Sequence, residues 1–197
     1  MPGINEIVSA LIGSWRIVLR DVRALDYFEH SIAAFWRSFT VFLLAAPLYL
    51  MAVSAQWRLT AEAGMPVPDD FFLYALIELT AYAVTWAAFP LAMLYAARAL
   101  GLTAHYVSYI IVYNWSSLLI VGLTAPLYGL YNIGVIDASG IIITSLFILV
   151  AELWYRWQMA SMIFKSRPVI IATILMLDVV TNVLVKSIFS NFHPGSL

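Results

Sequence analysis

Three charged side chains lie inside long apolar stretches of this chain, where they could form one buried cluster. Glu152 and Arg156 are four residues apart, so on a helix they share a face, with the acid on the N-terminal side as an i,i+4 ion pair prefers. A short turn separates this stretch from the next, which predicts that Asp178 lies at the depth of Arg156. One guanidinium neutralises only one of two carboxylates. The cluster therefore predicts either a polar clamp between two helices, our first expectation, or a carboxylate that exchanges a proton.

A polar stripe continues from Asp178 along the same stretch. Asn182 follows one helical turn later, and Lys186 follows one turn after that. Glu78 lies about two turns inside another apolar stretch, at a depth that Lys186 could share. The sequence thus predicts a second pair between Glu78 and Lys186, unless Lys186 extends its ammonium group to the membrane surface.

The positions of these side chains depend on five long apolar runs. Hydrophobic residues make up 63% of the chain and charged residues only 11%, whereas soluble domains carry about 25% charged residues. Each run is long enough to cross a bilayer core of roughly 30 Å. We therefore predict an all-α integral membrane bundle (32–190) of five transmembrane helices, preceded by an interfacial segment (1–31) and followed by a short tail (191–197). The predicted spans are about 32–56, 71–97, 107–131, 140–164 and 169–189.

The distribution of Lys and Arg predicts how the chain is threaded. Most of them lie before the first span, at the second connection or at the fourth, whereas the other side holds Arg58 and Lys186. The positive-inside rule then places the N-terminus in the cytoplasm and the C-terminus on the opposite side. Compact loops favour a bacterial cytoplasmic membrane. This plan resembles, in topology, that of the Yip1-domain membrane proteins, a family associated with membrane trafficking in eukaryotes.

The segment before the first span has the pattern of an amphipathic helix. Apolar residues recur at helical spacing over 4–20, and Arg16 and Arg20 lie on the other face. With Trp15 among the headgroups and Arg23 following, this helix is expected to lie on the cytoplasmic membrane surface. The alternative is a helix that caps the bundle or docks on a partner. Asp26 and Glu29 have capping-box spacing and predict the start of the helix that enters the first span.

Three prolines lie inside the predicted spans, namely Pro47, Pro90 and Pro126. Each removes one backbone hydrogen bond and predicts a kink. The sequence Ala-Pro-Leu-Tyr occurs at 46–49 and again, 79 residues later, at 125–128. With the same offset, the match extends back to the serines at 38 and 117. These matches indicate a parallel repeat of spans one and three, or a coincidence in apolar sequence.

Several chemistries have no residues to support them. The chain has no cysteine, its three histidines have no metal-ligand spacing, and no nucleotide-binding or hydrolase motif is present. A net charge of −1 provides no field for nucleic acid. We therefore expect no metal, no cofactor, no catalytic residues and no nucleic-acid partner.

These observations favour a non-enzymatic role in the lipid bilayer. The first hypothesis is a membrane scaffold or an accessory subunit, bound to another membrane protein or to further copies of itself. The alternative is a small proton-coupled transporter or permease that uses the buried charges of spans four and five. A third and weaker hypothesis, an intramembrane enzyme acting on lipid, lacks a nucleophile or metal constellation.

Overall fold

The computed structural model describes residues 2–192, and the regular secondary structure of this part of the chain is entirely helical, with no strand. The predicted all-helical class is thus confirmed. A 3₁₀ helix (Ala24–Tyr27) connects the first α-helix to the second. The α-helices are α1 (Ile4–Val18), α2 (Ile32–Ser38), α3 (Val41–Glu62), α4 (Phe71–Ala99), α5 (Thr103–Asn132), α6 (Ala138–Phe164) and α7 (Pro168–Ser190).

Five helical segments are long and apolar enough to cross a membrane, with α2 and α3 together forming the first. The outward faces of α6 and α7 expose many large apolar side chains. On α6, Leu146, Phe147 and Val150 are 60%, 72% and 66% exposed. Leaving such side chains in water forgoes about 25 cal/mol for each Å² that could be buried. The five apolar helices and this surface therefore fit an integral membrane protein.

The first span is two helices rather than one. The helix breaks after Ser38, where backbone bonds run three residues back, from Thr40 to Arg37 and from Leu43 to Thr40. The Ser38 hydroxyl donates to the Phe35 carbonyl at 2.7 Å, and the Thr40 hydroxyl donates to the Arg37 carbonyl at 2.7 Å. Hydroxyls that bond local carbonyls compete with the regular helical ladder, which accounts for the break.

The predicted cap of the helix that enters the first span was wrong, and a local hydrogen bond explains the difference. Ser31, and not Asp26, caps α2, since its hydroxyl accepts from the Ala34 amide at 3.0 Å. Helix α3 extends to Glu62, six residues beyond the predicted end of span one, where Arg58 bonds Glu62 at 2.7 Å. The connection to α4 is therefore only 63–70. Asp70 caps α4, because its side chain accepts from two amides at the start of that helix.

Helix α5 lies at the centre of the bundle and packs against α1, α2, α3, α4 and α6. Its buried side chains include Tyr109, Asn114 and Trp115, each about 1% exposed. The first span, formed by α2 and α3, runs parallel to α5, because Ser38 of α2 bonds Asn114 and Ser54 of α3 bonds Asn132, further along both. The two helices of the suggested repeat are thus parallel neighbours.

Helices α6 and α7 are antiparallel neighbours, as the short turn between them predicts. Lys165 ends α6 in the left-handed region at φ 45°, and Pro168 occupies the first position of α7. Proline suits that position because its missing N–H would have no helical acceptor there. The bundle has two ends, which we call the Arg37 end, where Arg37 bonds Glu6, and the Arg58 end, where Arg58 bonds Glu62.

Candidate functional site

Arg156 is the centre of the buried charge cluster that the sequence predicts. Its side chain is only 7% exposed. One terminal nitrogen donates to the Ser117 hydroxyl at 3.0 Å and to Glu152 at 3.3 Å. The guanidinium lies 3.9 Å from the centre of the Tyr113 ring, and the other terminal nitrogen is 3.5 Å from the Tyr113 carbonyl. Arg156 therefore pairs with Glu152 on its own helix, α6, and connects α6 to α5 through a hydrogen bond to Ser117 and a cation–π contact with Tyr113.

Asp178 joins the cluster from α7, and its side chain is 13% exposed. One carboxylate oxygen accepts from the Tyr113 hydroxyl at 2.8 Å and from the Asn182 amide at 2.9 Å. The other oxygen lies 3.9 Å from Nε of Arg156, which is within ion-pair range but too long for a hydrogen bond. Among the described residues, that Nε is a buried donor with no acceptor. Asp178 and Arg156 thus lie at one depth, with a gap between them.

Two members of this cluster were missed in the sequence. Tyr113 and Ser117 both come from α5, which the sequence does not identify as a neighbour of α6 and α7 at this depth. They are four residues apart, and this helical spacing on one face was the available signal. The four predicted residues are brought together as expected. They are Glu152, Arg156, Asp178 and Asn182.

Glu152 differs from the other members because its side chain is 36% exposed. It lies on the wall of a groove of about 250 Å³ between α1, α5 and α6. Helix α5 lines this groove with Leu119, Leu123 and Leu127, and Trp15 of α1 lines it as well. The groove is otherwise almost entirely apolar. Glu152 therefore belongs both to the charge cluster and to the residues that line this apolar groove.

Helix α1 lies against the bundle through small and apolar residues. Ala10, Gly13, Ser14 and Ile17 are buried, and the Tyr155 hydroxyl of α6 donates to the Ser14 carbonyl at 3.2 Å. A Cβ on Gly13 would lie 2.6 Å from the Phe28 ring, so only glycine permits this approach. A second apolar stripe remains exposed. It consists of Ile4, Val8, Ile12, Trp15 and Leu19.

The arginines predicted to meet lipid headgroups have protein partners. Arg16 forms an ion pair with Asp21 at 2.6 Å and lies over the Tyr27 ring. Arg20 lies over the Trp154 ring at 5.4 Å. The backbone amide of Arg23 donates to Asp21. The buried stripe of α1 contacts the bundle and its exposed apolar stripe lies on another side of the helix. The location of α1 on a lipid surface stays a prediction.

At the Arg37 end, ion pairs join α1 to α2. Arg37 donates to Glu6 at 3.0 Å and also bonds Glu29. A hydrogen bond from the Ser31 hydroxyl, together with the charge of Arg37, holds the pKa of Glu29 below its ordinary value.

At the opposite end, Arg58 donates to the carbonyls of Tyr131 and Asn132, the last two residues of α5. A cation there suits the helix dipole.

The second predicted pair involves Glu78 of α4 and Lys186 of α7, and these two helices are neighbours. The Tyr49 hydroxyl of α3 donates to Glu78 at 3.4 Å, and the Tyr49 ring stacks on Tyr82 at 4.1 Å. Lys186 is exposed. A direct contact between Glu78 and Lys186 stays a prediction.

The three prolines each lie inside a continuous helix, at Pro47 of α3, Pro90 of α4 and Pro126 of α5. The carbonyl of Pro90 accepts from the Tyr106 hydroxyl at 3.0 Å. Side-chain hydroxyls are one means by which membrane helices satisfy backbone groups near a proline.

The histidines form no metal site in the part of the chain that the structure describes, and His193 lies outside it. Within 2–192, no three His, Cys, Asp or Glu side chains gather into a metal-binding group.

Comparison of the chain with protein-family models, with curated proteins and with solved structures finds no match. The topological resemblance to the Yip1-domain proteins therefore stays a prediction. What the chain can do is argued from its own side chains: a buried cation that contacts two carboxylates, and an apolar groove that Glu152 helps to line.

Proposed function

We propose that this protein is a non-enzymatic membrane scaffold or an accessory subunit of a membrane assembly. The observation that carries the proposal is the set of contacts that Arg156 makes within its own chain, with Glu152 of α6, with Ser117 and Tyr113 of α5 and with Asp178 of α7. A charged group whose partners come from three helices of one bundle acts to hold those helices together. The cluster is in this view a clamp that fixes α5, α6 and α7 in one register.

The proposed partner is another membrane protein or a second copy of this chain. The outward faces of α6 and α7 expose many large apolar side chains, among them Phe147 of α6 and Met176 of α7. Such faces can form contacts with other proteins within the membrane. We place the protein in a bacterial cytoplasmic membrane, with the N-terminus in the cytoplasm and the C-terminus on the other side.

Two measurements test this function. Purification in mild detergent followed by native mass spectrometry is expected to give a stoichiometric complex with a second membrane protein or a second copy. Asp178→Asn and Glu152→Gln are expected to lower thermal stability or assembly, while proteoliposomes show no flux of protons or solutes. A monomer whose proteoliposomes carry a flux that Glu152→Gln abolishes would contradict the proposal.

The orientation has a separate test, because a chain without cysteine accepts single reporter cysteines. Met65→Cys lies in the loop between α3 and α4, and Ser166→Cys lies in the turn between α6 and α7. In intact cells, a membrane-impermeant maleimide is expected to label position 65 and to label position 166 only after permeabilisation. The reverse pattern would invert the proposed topology.

Proton-coupled transport is the second candidate, and one observation favours it. Glu152 lies both in the groove and in contact with Arg156, whose Nε lacks an acceptor beside Asp178. A proton arriving at Glu152 would weaken its bond to Arg156 and allow Arg156 to move closer to Asp178. Proteoliposomes with an internal pH-sensitive dye test this candidate, with Glu78→Gln as a matched acid-to-amide control. Proton flux that is absent in the wild type, or unchanged by Glu152→Gln, would exclude this role of Glu152.

A further inference from the structure

A second cavity lies at the Arg37 end of the bundle, and its walls carry hydrogen-bond donors. It has a volume of about 250 Å³ and lies where the start of α5 and the end of α6 meet the segment before α2. Among the described residues, no carboxylate lines it. Each of its polar lining side chains can donate a hydrogen bond. They are His30, His105, Ser108 and Lys165.

Lys165 gives this cavity a full positive charge. Within residues 2–192, no carboxylate lies within ion-pair distance of its ammonium group. The end of α6 contributes about half an elementary negative charge and the start of α5 about half a positive one, so the two helix ends largely offset each other. The charge of Lys165 therefore remains, and it favours an anionic ligand.

Two further donors come from the first turns of α5. Ser108 is partly buried, and its hydroxyl has no hydrogen-bond partner in the described part of the chain, whereas the Ser117 hydroxyl donates to the Tyr113 carbonyl. The exposed ring of His105 packs edge-on against Phe164, with 6.3 Å between the ring centres. Its N–H is a donor in either neutral tautomer and in the charged form.

The charges around the cavity favour an anion as well. Four acidic side chains belong to this end of the bundle, and Arg16 and Arg37 pair with all of them except Asp26. Asp26 does not line the cavity. Arg98, in the last turn of α4, and Arg167, just before α7, add positive charge at the same end. This field attracts anions toward the cavity.

The other walls are apolar and favour a lipid over a free anion. They consist of Leu25, Met162, Ile163 and Phe164. The cavity is smaller than the roughly 300–1,000 Å³ of pockets that enclose drug-sized ligands, so it fits a single headgroup. Basic pockets between helices, near the end of an apolar bundle, are typical places for anionic lipid headgroups.

We infer that this cavity binds the phosphate group of an anionic membrane lipid. Lys165 supplies the compensating charge, and His105 and Ser108 donate hydrogen bonds to the phosphate oxygens. His30 borders the site, with its Nε2 donating to the Leu25 carbonyl at 3.0 Å. The inference goes beyond the scaffold function and does not depend on it, because it uses only the cavity and the apolar helices.

Lipid titration followed by native mass spectrometry tests the inference. The purified protein in mild detergent receives dioleoyl phosphatidate or dioleoyl phosphatidylcholine, which share acyl chains and differ in net headgroup charge. Phosphatidate is expected to bind at least about tenfold more tightly, through its charge contact with Lys165. Glycerol 3-phosphate distinguishes a lipid from a soluble phosphate. It should need at least about a hundredfold excess to displace phosphatidate, since burying about four methylene groups supplies that factor.

Variants locate the bound phosphatidate. Lys165→Asn removes the charge, and asparagine suits the left-handed backbone at φ 45°. His105→Phe removes the donor and keeps a ring against Phe164. Each is expected to weaken phosphatidate binding about tenfold and to leave phosphatidylcholine binding unchanged. Arg98→Gln removes a charge from the same end but outside the cavity, and it should change phosphatidate binding less than about twofold. Thermal unfolding shows that each variant is folded.

Three results would overturn the inference. Equal affinity for the two lipids would show that the cavity does not select a net negative charge. Equal losses in Lys165→Asn and Arg98→Gln would assign the binding to the general positive field of this end. Displacement of phosphatidate by an equal concentration of glycerol 3-phosphate would assign the site to a soluble phosphate ester instead of a lipid.

Discussion

Removal of the Arg156 guanidinium gives the sharpest test of the clamp between α5, α6 and α7. In Arg156→Met the side-chain volume is largely kept, but Glu152 and Asp178 lose their shared cation. The side chain of Asp178 is 13% exposed and cannot be rehydrated without opening the bundle. Losing one partner of a buried charge pair costs about 3–5 kcal/mol. Because Glu152 is partly exposed, we expect the lower value, about 3 kcal/mol.

Adding Asp178→Asn to Arg156→Met separates a charge effect from a loss of packing. The double variant no longer has an unpaired acid at Asp178, and asparagine can still accept from the Tyr113 hydroxyl. The double variant is therefore expected to be more stable than Arg156→Met alone, with a remaining loss of about 1–2 kcal/mol. Arg98→Met, at the exposed end of α4, is the control for removing an arginine.

The assay is reversible unfolding in mixed micelles with increasing SDS, followed by tryptophan fluorescence. Equal midpoints for Arg156→Met and the wild type would refute the clamp. A double variant as unstable as Arg156→Met would also refute the argument, because it would show that the uncompensated charge on Asp178 is not the source of the loss.

Three further predictions concern the helix contacts and the ends of the bundle. Gly13→Leu is expected to displace α1 and expose it to limited proteolysis, whereas Gly122→Leu, with open space at its Cβ, should leave α1 protected. Asp70→Ala removes the cap of α4 and is expected to cost about 1 kcal/mol in SDS unfolding, with Asp69→Ala as the neutral neighbour. The pKa of Glu29 is lowered from 4.5, so its stabilisation is present above pH 4.5 and is lost as pH falls through the lowered pKa. Glu29→Gln should remove that part of the acid dependence of the unfolding midpoint, and an unchanged acid profile would contradict it.

Local patterns in the sequence predict the long helices. The apolar runs predict five helices long enough to span a membrane, and the described residues contain five. The break after Ser38 and the extension of α3 to Glu62 were missed. In both cases side chains decide the boundary, through hydroxyls that bond local carbonyls and through an i,i+4 ion pair. The average hydropathy of a stretch of sequence hardly changes with such single contacts, so it does not locate these helix boundaries.

The sequence alone determined that Glu152 and Arg156 share a helix face and that Asp178 lies at the same depth, because helical rise and a short turn fix both. Only the tertiary structure decided that α5 contributes Tyr113 and Ser117 and that α1 forms a wall of the groove beside Glu152. In an apolar chain every helix has several faces of similar hydrophobicity, so the pattern does not state which face meets which neighbour. Close packing and the pairing of a few buried polar groups make that choice.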